Sequence, residues 1–417
     1  MNRKKESKVV PNVRFKGFTD DWKQRKLGDV SEIIGGGTPS TNHPEYWDGD
    51  IDWYSPAEIL DQIYVKRSQR RITKLGYDNS SAKLLPPGTV LFTSRAGIGK
   101  TAILSQKSCT NQGFQSIVPH ENELDTYFIF SRTNALKRYG ELVGAGSTFA
   151  EVSGKQMSAM NLMLPTTIQE QQVIGQFFKK LDRLITLHQQ KITLLTKLKK
   201  AMLEKMFPKK GSVIPEFRFN GFANAWEQRK LGDIVERVTR KNQNIVSDLP
   251  LTISAQYGLI DQNEFFDKRV ASKDVSGYYL IYNGEFAYNK SISNDAPWGA
   301  IKRLDRYENG VLSTLYIVFK IKNEEKTNSD FIATYYDTNI WHKDIKAIAA
   351  EGARNHGLLN ITPADFFETK LKFPKNVLEQ QKIGIYFGNI DHLITLHQRK
   401  LDMLKKLKSA CLNEMFI

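Results

Sequence analysis

Leu184-Ile185-Thr186-Leu187-His188-Gln189 returns letter for letter as Leu393-Ile394-Thr395-Leu396-His397-Gln398, 209 residues later. Outward from this hexamer, seam residues, mostly apolar, recur in alternating steps of four and three: Ile174, Phe178, Leu181, Ile185, His188, Ile192 and Leu195. Lys199, Met202 and Met206 continue the series. The same offset gives Ile383, Phe387, Ile390, Ile394, His397, Leu401 and Leu404, then Lys408, Cys411 and Met415. A period of 3.5 held for more than four heptads is the seam of a coiled coil. It predicts two helices of roughly 50 Å each. The seam histidines are read as polar register residues, since no carboxylate or cysteine stands at ligand spacing. Lys199 and Lys408 are expected to snorkel, with Leu198 and Leu407 sharing the burial. The outer faces read as basic, with Asp182 and Glu204 among the few acids.

The repetition extends further. Glu170-Gln171 with Gly175 recurs as Glu379-Gln380 with Gly384, and Arg14-Phe15-Lys16-Gly17-Phe18 as Arg218-Phe219-Asn220-Gly221-Phe222. Trp22 with Gln24-Arg25-Lys26-Leu27-Gly28-Asp29 recurs as Trp226 with Gln228-Arg229-Lys230-Leu231-Gly232-Asp233, 204 residues on. Two tandem halves follow. Between the echoes, residues 35–150 and 240–355 share length but almost no wording. The matched parts are therefore scaffold, and the unmatched parts carry what differs in task. The fold class is α+β: two α/β domains alternating with two long helices that pair as an antiparallel coiled coil about an internal pseudo-twofold. The expected boundaries are 1–165, 166–208, 209–374 and 375–417. A rod of roughly 50 Å is long enough to span about one turn of DNA, some 34 Å.

Sixty Lys and Arg against 45 Asp and Glu leave a net charge of +15, which favours a polyanionic partner, nucleic acid before membrane. Cys109 and Cys411 supply neither a disulfide framework nor a zinc site. No run of 18 apolar residues exists, and Met1 to Lys8 has a basic start with no apolar stretch behind it. A soluble, cytoplasmic protein is expected.

Within the globular parts, strands are expected at Thr89–Thr93, Ser116–Val118, Leu251–Ser254 and along Val311–Ile321, and helices over 124–139 and 329–350. Residues 35–40 and 144–148 read as flexible loops. Polar and basic residues near such loops suit DNA: Arg, Lys, Asn and Gln meet base edges, Ser and Thr hold phosphates. The candidates are Thr38, Ser40, Ser94, Arg95 and Lys100 in the first half. In the second they are Ser254, Tyr257, Tyr288, Asn289, Lys290, Ser291, Arg354 and Asn355. Catalytic motifs are near misses. Residues 94–101 end in Gly-Lys-Thr like a phosphate-binding loop, but Ser94 stands where the first glycine belongs. Asp365 lies too close to Glu368-Thr369-Lys370 to share a nuclease metal from a separate strand. Asp295-Ala296-Pro297-Trp298 is one letter short of an amino-methyltransferase motif. No catalytic set and no metal site emerge.

Two unlike globular segments alternating with two repeated helices resemble the specificity subunit of a Type I restriction–modification system. The resemblance covers essentially the whole chain. Its most specific pieces are Trp22 with residues 24–29, Gly36-Gly37-Thr38-Pro39-Ser40 before Tyr46-Trp47 and Ile51-Asp52-Trp53, and Arg95-Ala96-Gly97-Ile98-Gly99-Lys100. Pro165 with Glu170-Gln171-Gln172, residues 252–260 and Tyr288-Asn289-Lys290-Ser291 add to it. The resemblance implies two target-recognition domains, each reading one part of a bipartite, asymmetric site in double-stranded DNA. It also implies helices that set the gap and dock two modification (methyltransferase) subunits, through which two restriction (translocase/nuclease) subunits join. S-adenosylmethionine, ATP and Mg²⁺ would sit on those partners, and this chain would not be an enzyme. The competing readings are a specificity chain fused to its own methyltransferase, for which 417 residues leave no room, and a coiled-coil adaptor that never touches DNA.

Overall fold

A computed structural model describes residues 9–145, 150–254, 257–268, 270–294, 296–349 and 357–417. The chain divides into two compact units, Met1–Gln189 with Arg399–Ile417, and Gln190–Gln398. Both cuts fall inside long helices, so each unit holds one globular part and a portion of each helix.

The first unit contributes strands β1 (Lys23–Lys26), β2 (Ser31–Gly35), β3 (Trp47–Tyr54), β4 (Tyr64–Val65) and β5 (Arg70–Ile72). After them come β6 (Val90–Phe92), β7 (Thr101–Leu104), β8 (Cys109–Thr110), β9 (Gln115–Pro119) and β10 (Asn161–Leu164). Five form a sheet in the order β2-β9-β6-β7-β4, and three more a small sheet β5-β3-β8. Both faces of the larger sheet are covered, so its middle strand β6, Val90-Leu91-Phe92, is apolar throughout rather than alternating. Val90, Phe92, Ile103 and Ile117 join one core, while Leu91, Ala102, Leu104 and Phe114 join another, as the strand period of two requires.

The second unit contributes β11 (Glu227–Lys230), β12 (Val235–Val238), β13 (Leu251–Ser254), β14 (Gly258–Asp261) and β15 (Tyr279–Tyr282). It continues with β16 (Phe286–Asn289), β17 (Ala300–Arg303), β18 (Asn309–Leu312), β19 (Ile317–Ile321) and β20 (Lys370–Phe373). Its main sheet has the order β12-β19-β16-β17. This is β2-β9-β6-β7 again, antiparallel at every step. The segments that share no wording therefore share a sheet. Burial constrains such strands to be apolar and leaves the identity of each apolar residue open. The apolar run from Val311 to Ile321, read as one strand, is broken by the turn at Ser313–Tyr316, where Tyr316 N–H bonds to the Ser313 carbonyl at 3.1 Å. The expected helices appear in two pieces each: Thr126–Ser131 and Thr133–Gly144, then Ser329–Asp337 and His342–Ala349.

The echoed letters prove to be fasteners. Glu170 is buried and accepts from Arg14 Nε and Nη2 at 2.7 and 2.8 Å and from the Trp22 indole at 3.3 Å. Glu379 does the same for Arg218 at 2.6 and 2.7 Å and for Trp226 at 3.4 Å. Gln171 accepts from the N–H of Asp125, and Gln380 from that of Asn328. Those two residues cap the helices Thr126–Ser131 and Ser329–Asp337.

The long helices run Ile168–Met206 and Val377–Glu414, 39 and 38 residues. At 1.5 Å per residue each is about 57 Å long. Every seam position is buried or half-buried, whereas Leu184, Leu187, Leu194 and Leu198 are 42–61% exposed. In the first unit Phe178 stacks on Phe416 at 5.6 Å and Asp182 meets Lys408 at 2.5 Å. In the second, Lys199 meets Asp391 at 2.7 Å and Phe207 approaches Phe387 at 6.4 Å. One partner's number falls as the other's rises, so the helical segments in each unit are antiparallel. Two expectations are corrected here. Lys199 and Lys408 do not snorkel: Lys199 is held by Asp391 and Asp337, Lys408 by Asp182, while Leu198 and Leu407 stay exposed. Asp182 is not on an outer face; it is buried and also accepts from the Tyr127 hydroxyl at 3.0 Å.

Candidate nucleic-acid interface

The β6–β7 turn, Thr93 to Lys100, is closed by its own backbone. Thr93 N–H donates to the Lys100 carbonyl, and Gly99 N–H to the Thr93 carbonyl, both at 2.9 Å. The Thr93 hydroxyl donates to the Gly97 carbonyl at 2.6 Å and accepts from Lys100 N–H at 2.9 Å. Gly99 has φ +92°, and a Cβ there would strike Lys137, so only glycine turns the chain at this point. Since Thr101 opens a strand and not a helix, the likeness to a phosphate-binding loop stops at its letters. The turn leaves Lys100 exposed and Arg95 half-exposed. Ser94 is fully buried, with its N–H bonded to the Gly113 carbonyl at 2.8 Å. It supports the turn and is corrected from contact to scaffold.

Two loops flank this turn. Residues 35–40 are not the flexible loop expected: a Cβ on Gly36 would lie 2.0 Å from the Asn111 carbonyl, and one on Gly37 2.3 Å from Ser81 Oγ. The Trp53 indole donates to the Gly37 carbonyl at 2.8 Å and the Trp47 indole to that of Ser40 at 3.2 Å. Thr38 donates to Gln112 at 2.5 Å, Ser40 is exposed, and Arg95 Nε lies 3.5 Å from where a Cβ on Gly113 would stand. Thr38 and Arg95 are thus gathered around the Asn111–Gly113 turn, and exposed Gln112 joins them. That residue went unrecognised in the sequence. Its signal was a polar Asn-Gln-Gly between two β-rich runs.

The topologically equivalent turn of the second unit lies between β16 and β17. Tyr288 is corrected from contact to core: it is fully buried, stacked on Phe366 at 4.9 Å, and its hydroxyl donates to the Trp298 carbonyl at 2.8 Å. It anchors the turn from beneath. Lys290 donates to the Ile361 carbonyl at 3.3 Å, and burial lowers its pKa. Asn289 is half-buried and accepts from Ser291 N–H at 3.0 Å, leaving Ser291 exposed. Gly299, at φ +76°, would place a Cβ 2.2 Å from the Asn289 carbonyl. Apart from the turn, Ser254 is buried and accepts from Tyr257 N–H at 3.2 Å, a correction from contact to turn support. Tyr257 is 45% exposed beneath the Arg306 guanidinium, 5.6 Å from its ring. Arg354 and Asn355 lie outside the described residues.

Among the described residues, no group of three or more His, Cys, Asp or Glu could hold a metal ion, and no helix is long and apolar enough to cross a membrane.

Residues 19–197 match the model of the Type I restriction modification DNA specificity domain. The chain is 33% identical over 228 residues to the Type I restriction enzyme MjaIX specificity subunit of Methanocaldococcus jannaschii, covering 52% of each. It is 32% identical over 180 residues to the EcoR124I/EcoR124II specificity subunit of Escherichia coli, covering 41% of this chain and 43% of the relative. It therefore spans about half the length of these curated relatives. The crystal structure of the Type I restriction–modification S subunit from M. genitalium superposes with a TM-score of 0.63 at 13% identity, over 98% of this chain and 99% of the other, a likeness of fold. Residues 19–197 are thus similar to a Type I restriction modification DNA specificity domain, and the fold over nearly the whole chain is like that of a solved Type I S subunit.

Proposed function

We propose that this chain is the non-catalytic DNA-reading subunit of a Type I restriction–modification complex, working in the cytoplasm. Each unit reads one half of a bipartite, asymmetric site in double-stranded DNA through the turn between the two equivalent strands. The first unit uses Arg95, Lys100, Thr38, Ser40 and Gln112, the second Asn289 and Ser291. The observation that carries this reading is one sheet order with two unlike hairpins. A conserved frame that exposes different polar tips is what a pair of unlike half-sites needs.

The long helices act as the ruler that sets the gap. They also dock two modification subunits, to which two restriction subunits bind. In support, seam pairing leaves a second apolar stripe uncovered on each helix: Leu184, Leu187, Leu194 and Leu198 on one, Leu393, Leu396, Met403 and Leu407 on the other. Leucines three, four and seven apart are the face a partner helix takes. S-adenosylmethionine, ATP and Mg²⁺ belong to those partners.

The test is a methylome. The chain is co-expressed with its modification partner in a host lacking adenine methylation, and modified adenines are mapped by single-molecule sequencing. A single bipartite motif with a fixed gap and unlike halves is expected. No new methylation from an assembled complex would favour an adaptor that does not read DNA.

A further inference from the structure

A cleft of about 1500 Å³ opens in the second unit. Its walls are the last turns of the helix Ile168–Met206, the residues just after it, the end of the β16–β17 turn with the start of β17, and the chain around Thr338–Asp344. Eight lysines and four carboxylates line it. Lys199 and Lys302 are spent internally, both on Asp337, with Lys199 also on Asp391. Lys200, Lys210 and Lys343 are exposed, and among the described residues none of their ammonium groups has a hydrogen bond or ion pair. The cleft therefore faces solvent with surplus positive charge.

The surplus is not part of the repeated scaffold. By the helix offset, Lys200 corresponds to Ser409 in the first unit. By strand register, Lys302, Lys370 and Lys372 correspond to Ala102, Asn161 and Met163. Asp337 neutralises Lys302, which leaves three lysines, Lys200, Lys370 and Lys372, whose counterparts in the other unit are neutral, so their charge belongs to the second unit alone.

We infer that this cleft is a phosphate-backbone site for the duplex that the second unit reads, an inference resting on the DNA-reading function proposed above. Lysine ammonium groups on flexible stems suit phosphates, which position a protein without carrying sequence information. One wall, Ala296 and Gly299 to Lys302, is the end of the β16–β17 turn and the start of β17, so a strand held at that turn passes the cleft. A duplex presents a charge about every 1.7 Å of axis, and lysines gathered from a helix end, a linker and a loop can each meet one of its phosphates. The second half-site is thereby held with more sequence-independent affinity than the first.

The test uses the full-length chain in complex with its modification partner and a labelled duplex carrying the methylated motif, titrated by fluorescence anisotropy across a salt series. The triple variant Lys200→Gln, Lys210→Gln, Lys343→Gln is expected to lower the slope of log affinity against log salt by about 2 to 3, at about 0.9 per phosphate contact. Its methylated motif stays unchanged. The matching Lys→Arg triple keeps the wild-type slope, which separates lost charge from lost fold. An unchanged slope in the Gln triple overturns the site. A variant that keeps the slope but sheds the modification subunit overturns it in favour of a protein interface. A wild-type complex with no salt slope refutes the DNA-reading function itself.

Discussion

Glu170 and Glu379 illustrate how a few letters hold a domain. Each is a buried carboxylate whose charge is compensated by a two-pronged guanidinium and an indole N–H. Removing one partner of such a pair strands the other charge in the core, at a cost of about 3–5 kcal/mol. The exposed Arg25–Glu123 pair, 3.1 Å apart with both side chains over 40% exposed, is worth under about 1 kcal/mol. Glu170→Ala should therefore lower the stability of the first unit severalfold more than Glu123→Ala, as read by chemical denaturation of the full chain. Equal losses would mean that the guanidinium finds water in the variant. At this scale the sequence was only partly legible. The echo marked Arg14, Trp22 and Glu170 as scaffold, but that they touch was not visible across 156 residues. Tyr288 and Ser94 were misjudged for the converse reason, since a polar atom on a strand end looks the same in sequence whether it faces solvent or the core.

At the scale of elements, the helices were the most legible part, because a 3.5-residue period depends only on spacing. Their charged seam positions were not. Lys199 and Lys408 find carboxylates 192 and 226 residues away, and no local pattern announces such partners. The two sheets were least legible: strand burial preserves apolar character and discards wording, so the repetition of β2-β9-β6-β7 in β12-β19-β16-β17 emerges only from register. Asp182 with Lys408 and Lys199 with Asp391 also dictate how the helices can be lengthened. A heptad inserted in one helix alone mismatches its partner. Matched insertions after Leu195 and after Leu404 fall between the paired residues on both helices and leave each pair intact. Each adds about 10 Å, or about three base-pair steps of 3.4 Å. The methylated motif of that variant should gain about three base pairs of gap with both half-sites unchanged. Altered half-sites would show that the helices take part in reading bases.

At the scale of the whole molecule, the chain is one design written twice with different tips. The fasteners, the seam and the sheet order recur, while the small sheet β5-β3-β8 belongs to the first unit and the pairs β13-β14 and β15-β18 to the second. The uneven charge of the second unit's cleft adds a further asymmetry. Such a molecule should be separable in function, each hairpin governing its own half-site. The most direct measurement of that claim is a pair of methylomes, one from the complex carrying Arg95→Ala and one from that carrying Asn289→Ala, set against the wild type. A lost base contact is worth about 1–3 kcal/mol of discrimination. Each variant should therefore relax one or two positions in one half of the motif, a different half for each, with the gap unchanged. Two variants that degrade the same half, or both halves together, would contradict the independence of the two units as readers.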